Sequence, residues 1–368
     1  MDIKNPHHPQ WKPPFCPNPN CKFHRELHQG WHFKRIGFYR RQTHPRRIQR
    51  FLCLHCRRSF STQTFRTDYW LRRPDILPEL MTLICGCMAI RQVARHFGVS
   101  PKTIARQLAR LGRHCLLFHL RQMKDLPPPR DITIDGFESF ELSQYYPFHH
   151  HLAVDSNTGF FLWFTDSPLR RKGRMTPYQK KRRAELENRF GRPDPQAVRK
   201  DMRELLEVVT ANSDRITIRS DEHKSYPAAM RGLAVEIEHR VTNSRQRRDK
   251  RNELWEVNLT DLLIRHSSAN HKRETIAWSK RRQSSALRLG VFLVWRNYVN
   301  RRWAKRGRAS PAMELGVCTK QETAGEVLKE RYFPHREGLS GRWGQYYWGE
   351  VETPALGRNL RHELKYAA

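Results

Sequence analysis

Two stretches, Asp131-Ile-Thr-Ile-Asp135-Gly136 and Arg215-Ile-Thr-Ile-Arg-Ser-Asp221, most narrow what this chain can fold into. Each reads as a short β-branched strand that delivers an aspartate at its tip. After Asp221 the segment His223-Lys-Ser-Tyr-Pro-Ala-Ala-Met230 reads as a helix. A carboxylate at a strand end, facing the start of a helix, is where α/β folds place chemistry. Aspartate also caps turns and helices, so either residue alone reads equally well as a cap. Two in the same setting favour a site. Between them lie strand-like runs at 132–141, 149–155 and 160–165, with a tight turn at Ser156-Asn-Thr-Gly159. Three such runs predict an antiparallel meander. An amphipathic helix over 201–209 leads to the Asp221 strand, and a further strand follows at 234–238. The run His149-His150-His151 could be taken for a metal cluster, but a strand alternates faces, so at most two point the same way.

Cysteine spacing constrains the N-terminal part. Cys16-Pro-Asn-Pro-Asn-Cys21 and Cys53-Leu-His-Cys56 are close pairs about thirty residues apart, the pattern of a four-thiolate zinc site. Two β-like runs, 32–39 and 47–52, fill the interval as a hairpin. Cys16, Cys21, Cys53 and Cys56 are therefore expected to hold Zn2+ in a zinc ribbon. His24 or His55 is an equally good donor type, though four cysteines suffice. Arg46, Arg47, Arg50, Arg57 and Arg58 surround the second knuckle and suit phosphate contact. Cys85, Cys87 and Cys115 fall at apolar positions and read as buried thiols.

Residues 74–124 carry helical periodicity. Within them, Ile90 to Leu108 reads as a helix-turn-helix: Gly98 ends one helix, Ser100 caps the next, and Pro101 takes its first position. Lys102, Thr103, Arg106 and Gln107 are expected on the exposed side of the second helix, facing a DNA major groove. An ordinary helical hairpin with a basic face is the plainer alternative. Asp125-Leu-Pro-Pro-Pro-Arg130 is a stiff linker. The chain thus divides into a zinc ribbon with a loose N-terminal arm (1–73), a helical domain (74–124), a linker (125–130), an α/β domain (131–303) with a basic insertion (169–200), and a basic, aromatic tail (304–368).

The charge balance points to the partner. Lys and Arg number 69 against 36 Asp and Glu, a formal net charge of +33 spread over the whole length. Such a field attracts polyanions, DNA or RNA first. Arg171, Lys172 and Arg174 in the insertion are candidate phosphate contacts, although a solvated helix face has the same composition. No apolar run is long enough to span a membrane, and the N-terminus lacks an apolar signal segment, so a cytoplasmic, nucleoid-associated protein is expected. Two strand-end aspartates in such a chain point to metal-dependent chemistry on nucleic acid.

The segment 252–266 should supply further site residues. At helical spacing Asn258, Asp261 and Arg265 share one face, while Glu256 points elsewhere. A second helical run is expected to contain Asn270, Arg273, Glu274, Thr275 and Trp278. An apolar stretch, 286–303, reads as a buried packing helix.

Taken together, Cys16/Cys21/Cys53/Cys56, Ile134-Asp135-Gly-Phe, Arg219-Ser-Asp221, Arg265-His and Arg273-Glu-Thr-Ile-Ala-Trp-Ser279 resemble a bacterial insertion-sequence transposase of the DDE (RNase H-like) superfamily. The resemblance covers roughly residues 15 to 303. It implies an RNase H-like mixed sheet with flanking helices as catalytic core, preceded by the ribbon and the helix-turn-helix. It further implies two Mg2+ ions held by carboxylates, Asp135 bridging both and Asp221 holding one, with phosphodiester cleavage followed by strand transfer. The partners would be double-stranded DNA, both terminal inverted repeats and target, with at least a dimer on DNA. In similar enzymes a Glu precedes a Lys or Arg by seven residues. Here Arg265 points back to Asn258, and some relatives carry Asn there. Asp261 lies one turn further along the face. Asp261 and Asn258 rank together as third ligand, then Glu256, then Glu274, with Arg265 contacting DNA or that ligand. A DNA-binding regulator, or a domesticated descendant without strand transfer, is the alternative reading.

Overall fold

A computed structural model describes residues 10–25, 30–272, 274–305, 307–356 and 361–362. Two sheets organise it. The smaller has the order β1-β2-β3, from Phe33–Arg40, Arg47–Cys53 and Ser59–Ser61, all antiparallel. The larger has the order β6-β5-β4-β7-β8, from β4 (Asp131–Phe140), β5 (Pro147–Asp155), β6 (Phe161–Pro168), β7 (Arg215–Ser220) and β8 (Glu236–Val241). Strands β4, β5 and β6 form the expected meander, whereas β7 and β8 run parallel to β4. The result is a mixed five-stranded sheet with flanking helices, compatible with an RNase H-like core.

Strands β5 and β6 are buried almost throughout, on both faces, because helices cover both. One face carries Asp135, Phe137, His150 and Leu152. The other carries Gly136, His149 and His151 and packs against the helix Ala197–Val209. There Ser167 Oγ donates to Asp201 Oδ2 (2.7 Å), and His151 Nε2 sits 2.7 Å from the same hydroxyl. Strand alternation thus splits the three histidines, as expected.

The helices of the 74–124 segment are Ile76–Cys85, Ile90–His96 and Pro101–Met123. Gly98 turns the chain at φ 60°, and Ser100 Oγ accepts from Thr103 N at 3.2 Å, so the turn is closed by the expected residues. The helix Pro101–Met123 lies along the helix Arg282–Val294, close enough that a Cβ on Gly112 would stand 2.5 Å from Leu287 O. One hydrophobic core therefore runs from Ile76 through the sheet to Val351. The linker carries the chain straight into β4, with Arg130 O accepting from Thr217 N at 2.9 Å.

Three segments depart from expectation. The run 270–278, expected as a helix, is a loop over its described residues between two helices. The 286–303 stretch is an α-helix only to Val294. It then widens into a π-turn over Trp295–Val299. The cause is Asn297, whose amide accepts from Phe161 N (2.9 Å) and donates to Phe161 O (2.8 Å), docking the widened turn on the start of β6. The described residues of the basic, aromatic tail past 304 are woven into the core. Trp343 stacks on Trp163 at 3.7 Å and 7°, and its indole donates to Phe164 O at 2.9 Å. Arg342 Nε and Arg282 Nε reach the two oxygens of fully buried Asp166, at 2.9 and 3.0 Å, and Tyr346 OH donates to it as well. Burial alone would raise this carboxyl, but the two guanidiniums hold it below the ordinary range. No helix among the described residues is long and apolar enough to cross a membrane.

Removing the Trp343 side chain leaves Trp163 facing a void. Trp343→Ala is expected to lower stability by about 3–5 kcal/mol, read as a shift of the urea midpoint.

Candidate active site and metal centres

Strand pairing sets the geometry. Parallel β4 and β7 align Asp131 with Thr217, Ile132 with Ile218 and Thr133 with Arg219. Carrying that register two residues further brings Asp135 level with Asp221, on the same face of neighbouring strands about 4.8 Å apart. Asp135 lies within β4, whose pairing with β5 continues to Phe140, whereas Asp221 stands just past the end of β7. Asp135 Oδ1 accepts from Gly136 N at 2.7 Å, and Asp221 Oδ1 accepts from His223 N at 3.0 Å, which fixes both carboxylates. Arg219 braces the pair from below, with Nη2 2.8 Å from Asp131 Oδ2 and Nη1 3.2 Å from Glu253.

The helix Trp255–Ser267 covers that face. Asn258 joins Asp135 and Asp221 in lining a small pocket, along with Asn243, Ser244, Gln246, Arg248, Asn252 and Leu254. Asp261 stands one turn further, ion-paired to Arg265 at 3.3 Å, and close enough for its charge to act on Asp135. Arg265 is half-buried. It reaches His271 O at 3.4 Å and lies 5.2 Å over the Phe137 ring. Glu256 faces away, pairing with Arg302 at 2.8 Å in a buried contact against Gly159. Glu274 is exposed and outside the pocket, and Arg273 lies outside the described residues.

Electrostatics identify what the pocket lacks. Burial pushes the Asp135 carboxyl up to about 7, and the charges of Asp221 and Asp261 add to the shift against the Gly136 N–H and Arg248. Ionised Asp135 is thus disfavoured until a cation joins it. Carboxylate and carboxamide oxygens are also the donor set that Mg2+ prefers, with water completing the shell. The pocket residues fit a divalent cation on both counts.

No local pattern singles out Asn243, Arg248, Asn252 or Tyr226. The first three come from the loop after β8, whose basic run was legible but whose return to the pocket was not. Tyr226 is buried in the helix Ser225–Met230, and its phenol is raised by burial and by both aspartates.

The candidate DNA contacts separate. Lys102 and Arg106 are exposed, and Thr103 is half-buried, its hydroxyl 3.0 Å from Ser100. Gln107, expected on the exposed side, is 4 % exposed and donates to Arg73 O at 2.9 Å. It flanks the Ile104–Leu108–Leu111 stripe, which is wide enough to include it. In the insertion, the helix Pro177–Phe190 has no buried residue, and Lys172 and Arg174 are exposed before it. Arg171 is partly engaged, donating to Gln144 O at 3.0 Å.

At the other end of the chain, ligand atoms of Cys16, Cys21, Cys53 and Cys56 all lie within 4.8 Å of one another. Cys16 Sγ is 3.6 Å from Cys56 Sγ, close to the roughly 3.8 Å between thiolates on a tetrahedral zinc with bonds of about 2.3 Å. Trp31 Nε1 donates to Cys53 Sγ at 3.2 Å. Burial works to raise the Cys53 thiol, but N–H groups of Cys56, Trp31 and His55 bring it down to about 7. The cluster suits a Zn2+ ion. His24 is occupied instead in a contact between Nδ1 and Cys16 O at 2.8 Å.

No family model matches the chain, and no curated protein matches it. Among solved structures, it is similar to a chain in the cryo-EM structure of the simian T-cell lymphotropic virus intasome in complex with PP2A regulatory subunit B56 gamma. That match has 16 % identity and a TM-score of 0.23, covering 69 % of this chain and 74 % of that one. It is also similar to a chain in the cryo-EM structure of the piggyBac transposase synaptic complex with hairpin DNA. Here identity is 9 % and the TM-score 0.34, over 76 % of this chain and 72 % of that one. Both likenesses are distant.

The native chain is expected to carry one zinc by elemental analysis, and Cys53→Ala close to none, with amide protection lost across 33–61 and kept in the large sheet. Glu256→Ala is expected to cost about 1–3 kcal/mol of stability by removing one of the two carboxylates that Arg302 holds, the other being Glu314, measured by chemical denaturation.

Proposed function

We propose that this chain is a DNA transposase that cleaves phosphodiester bonds and joins DNA strands at the Asp135/Asp221/Asn258 pocket. The observation that carries the reading is the in-register pair of aspartates on neighbouring parallel strands, Asp135 within β4 and Asp221 just past β7, facing a helix-borne carboxamide in a strongly cationic molecule. Asp135, Asp221 and Asn258 would hold Mg2+, which supplies Lewis acidity and an activated water or 3′-hydroxyl. Arg248 and the loop around it bind the phosphates of the strand being cut. Asp261 holds Arg265 against the helix face, so Arg265 serves as a positioning group for that wall. Lys102 and Arg106 grip a duplex major groove, with Thr103 at the helix start, and Arg171, Lys172 and Arg174 add phosphate contacts. In this reading residues 1–73 and 74–124 recognise the terminal inverted repeats, 131–303 carries the chemistry, and at least two copies act together because two DNA ends must be held at once.

A second reading is a DNA-binding regulator without strand transfer. It is favoured by Asn258, whose neutral amide stands where a third carboxylate would complete the metal site.

The test uses the full chain with Mn2+ and a supercoiled plasmid bearing its own flanking DNA. Asp135→Asn and Asp221→Asn are expected to weaken Mn2+ binding at least tenfold, read calorimetrically, and to abolish nicking and joining while duplex binding persists. Glu256→Gln should nick at the native rate. Native protein that binds duplex but neither takes up Mn2+ nor nicks would establish the regulator instead.

A further inference from the structure

Ile276 is 95 % exposed, the most exposed large apolar side chain among the described residues. A lone apolar residue on a surface is ordinary by itself. What sets this one apart is the frame that holds it out. It sits in the loop 268–281, which connects the helix Trp255–Ser267 to the helix Arg282–Val294. Thr275 Oγ1 donates to Ala269 O and accepts from Ala277 N, both at 2.9 Å, clamping the chain on either side of Ile276. Asn270 Nδ2 donates to Ser279 Oγ at 3.3 Å, tying the two legs of the loop through buried side chains.

The feet of the loop stand on the catalytic strand. The His271 ring packs 5.2 Å from Phe137 and 5.5 Å from His150. The Trp278 ring lies 5.6 Å from Phe140, and its indole donates to Leu142 O at 3.3 Å. Phe137 and Phe140 follow Asp135 by two and five residues, so the loop rises roughly 7–17 Å along β4 from the candidate site. The charge around it is positive. Among the described loop residues, Lys272, Lys280 and Arg281 stand against Glu274, and Lys280 Nζ rides 3.5 Å over the Trp278 ring. On the other side of the pocket, past β7 and β8, lies the loop 243–251, with exposed Arg245, Arg247 and Arg248. A polyanion lying across the pocket is gripped at 243–251 and meets Ile276 at the opposite rim.

That polyanion decides what the isoleucine can do. Phosphates and sugars offer an apolar side chain no place to bury. A duplex buries one against a thymine methyl in the major groove or between base steps, and the second unstacks them and kinks the helix. A kink beside the pocket also solves a problem of shape, because a stiff duplex must bend before one phosphate can enter a recess at a sheet edge. We infer that Ile276 is a wedge that inserts between base steps of duplex DNA next to the phosphate held at Asp135 and Asp221. The inference rests on the reading of this chain as an enzyme of DNA.

The experiment takes the full chain and synthetic duplexes carrying 2-aminopurine at successive positions. Native protein and Ile276→Leu are expected to raise the fluorescence at one step, and Ile276→Ala to leave it quenched. Ile276→Ala should also bind the paired duplex about tenfold more weakly, with an unchanged salt dependence because no phosphate contact is lost. Most of that loss should disappear on a duplex whose step is already mismatched. Melting temperature stays put, since the side chain packs on almost nothing. Unchanged fluorescence and affinity in Ile276→Ala would overturn the wedge while leaving the enzyme reading intact. A lower solution mass for Ile276→Ala without DNA would overturn it in favour of contact between two copies. If the native chain binds no duplex, the wedge and the reading beneath it fall together.

Discussion

Parallel pairing of β4 with β7 is the constraint on which the site depends. Antiparallel pairing would put the end of β7 beside the start of β4 and carry Asp221 away from Asp135. Here the parallel register places Asp221, just past the end of β7, level with Asp135, from which β4 runs on to Phe140. Parallel neighbours need a crossover, and the chain supplies it through the meander, the basic insertion and the helix Ala197–Val209. The long detour between residues 135 and 221 is therefore what brings them together.

Holding a buried carboxylate beside another is unfavourable, so the surroundings must over-determine the strands. Two buried ion pairs contribute at the flanks. Asp166 on β6 is locked by Arg282 and Arg342, which belong to elements more than a hundred residues downstream. Glu256 and Arg302 tie the helix Trp255–Ser267 to the segment beyond the π-turn. Such pairs add little net stability over apolar packing, yet breaking one is costly, which gives them the character of register pins. The C-terminal part reaches the ribbon too. Phe333 is buried among Phe15, Phe65 and His24, and Arg331 donates to Thr64 O at 2.8 Å. The ribbon is thus fastened to the body by residues from the far end of the chain.

Sequence periodicity revealed the aspartates because β-branched alternation marks a strand, but the tip expected at Asp135 is not there: pairing with β5 carries β4 on to Phe140, and only Asp221 follows a strand end. It placed Asn258, Asp261 and Arg265 on one helix face and turned Glu256 away, as the structure has them. It could not say which of Asn258 and Asp261 lines the pocket, because that depends on the helix's rotation over the sheet, set by packing of Val257 and Ile264. Gln107 shows a similar limit: its spacing is compatible with either face, and a backbone carbonyl at Arg73, contributed by another segment, draws it inward. The C-terminal residues were opaque for a different reason. Their helices are short, mostly single turns, so no periodicity builds up, and their partners lie in strands far away in sequence.

The electrostatics of the pocket give Asn258 a rationale within the proposed function. Asp135 already feels Asp221 and Asp261, and its ionised form is disfavoured. A third carboxylate at 258 would bring another negative charge to the same recess and raise the cost of the empty site. An amide supplies an oxygen donor without that charge. Asp261, one turn away, keeps a negative potential over the pocket while Arg265 balances it. The helix face then divides the work: position 258 offers the ligand atom, and position 261 offers the field. The affinity for a divalent cation is lower than with three ligating carboxylates, but folding is not opposed by three like charges held together in its absence. On this argument the carboxylate at 261, being tethered, shapes the site through Asp135 and need not touch the cation at all.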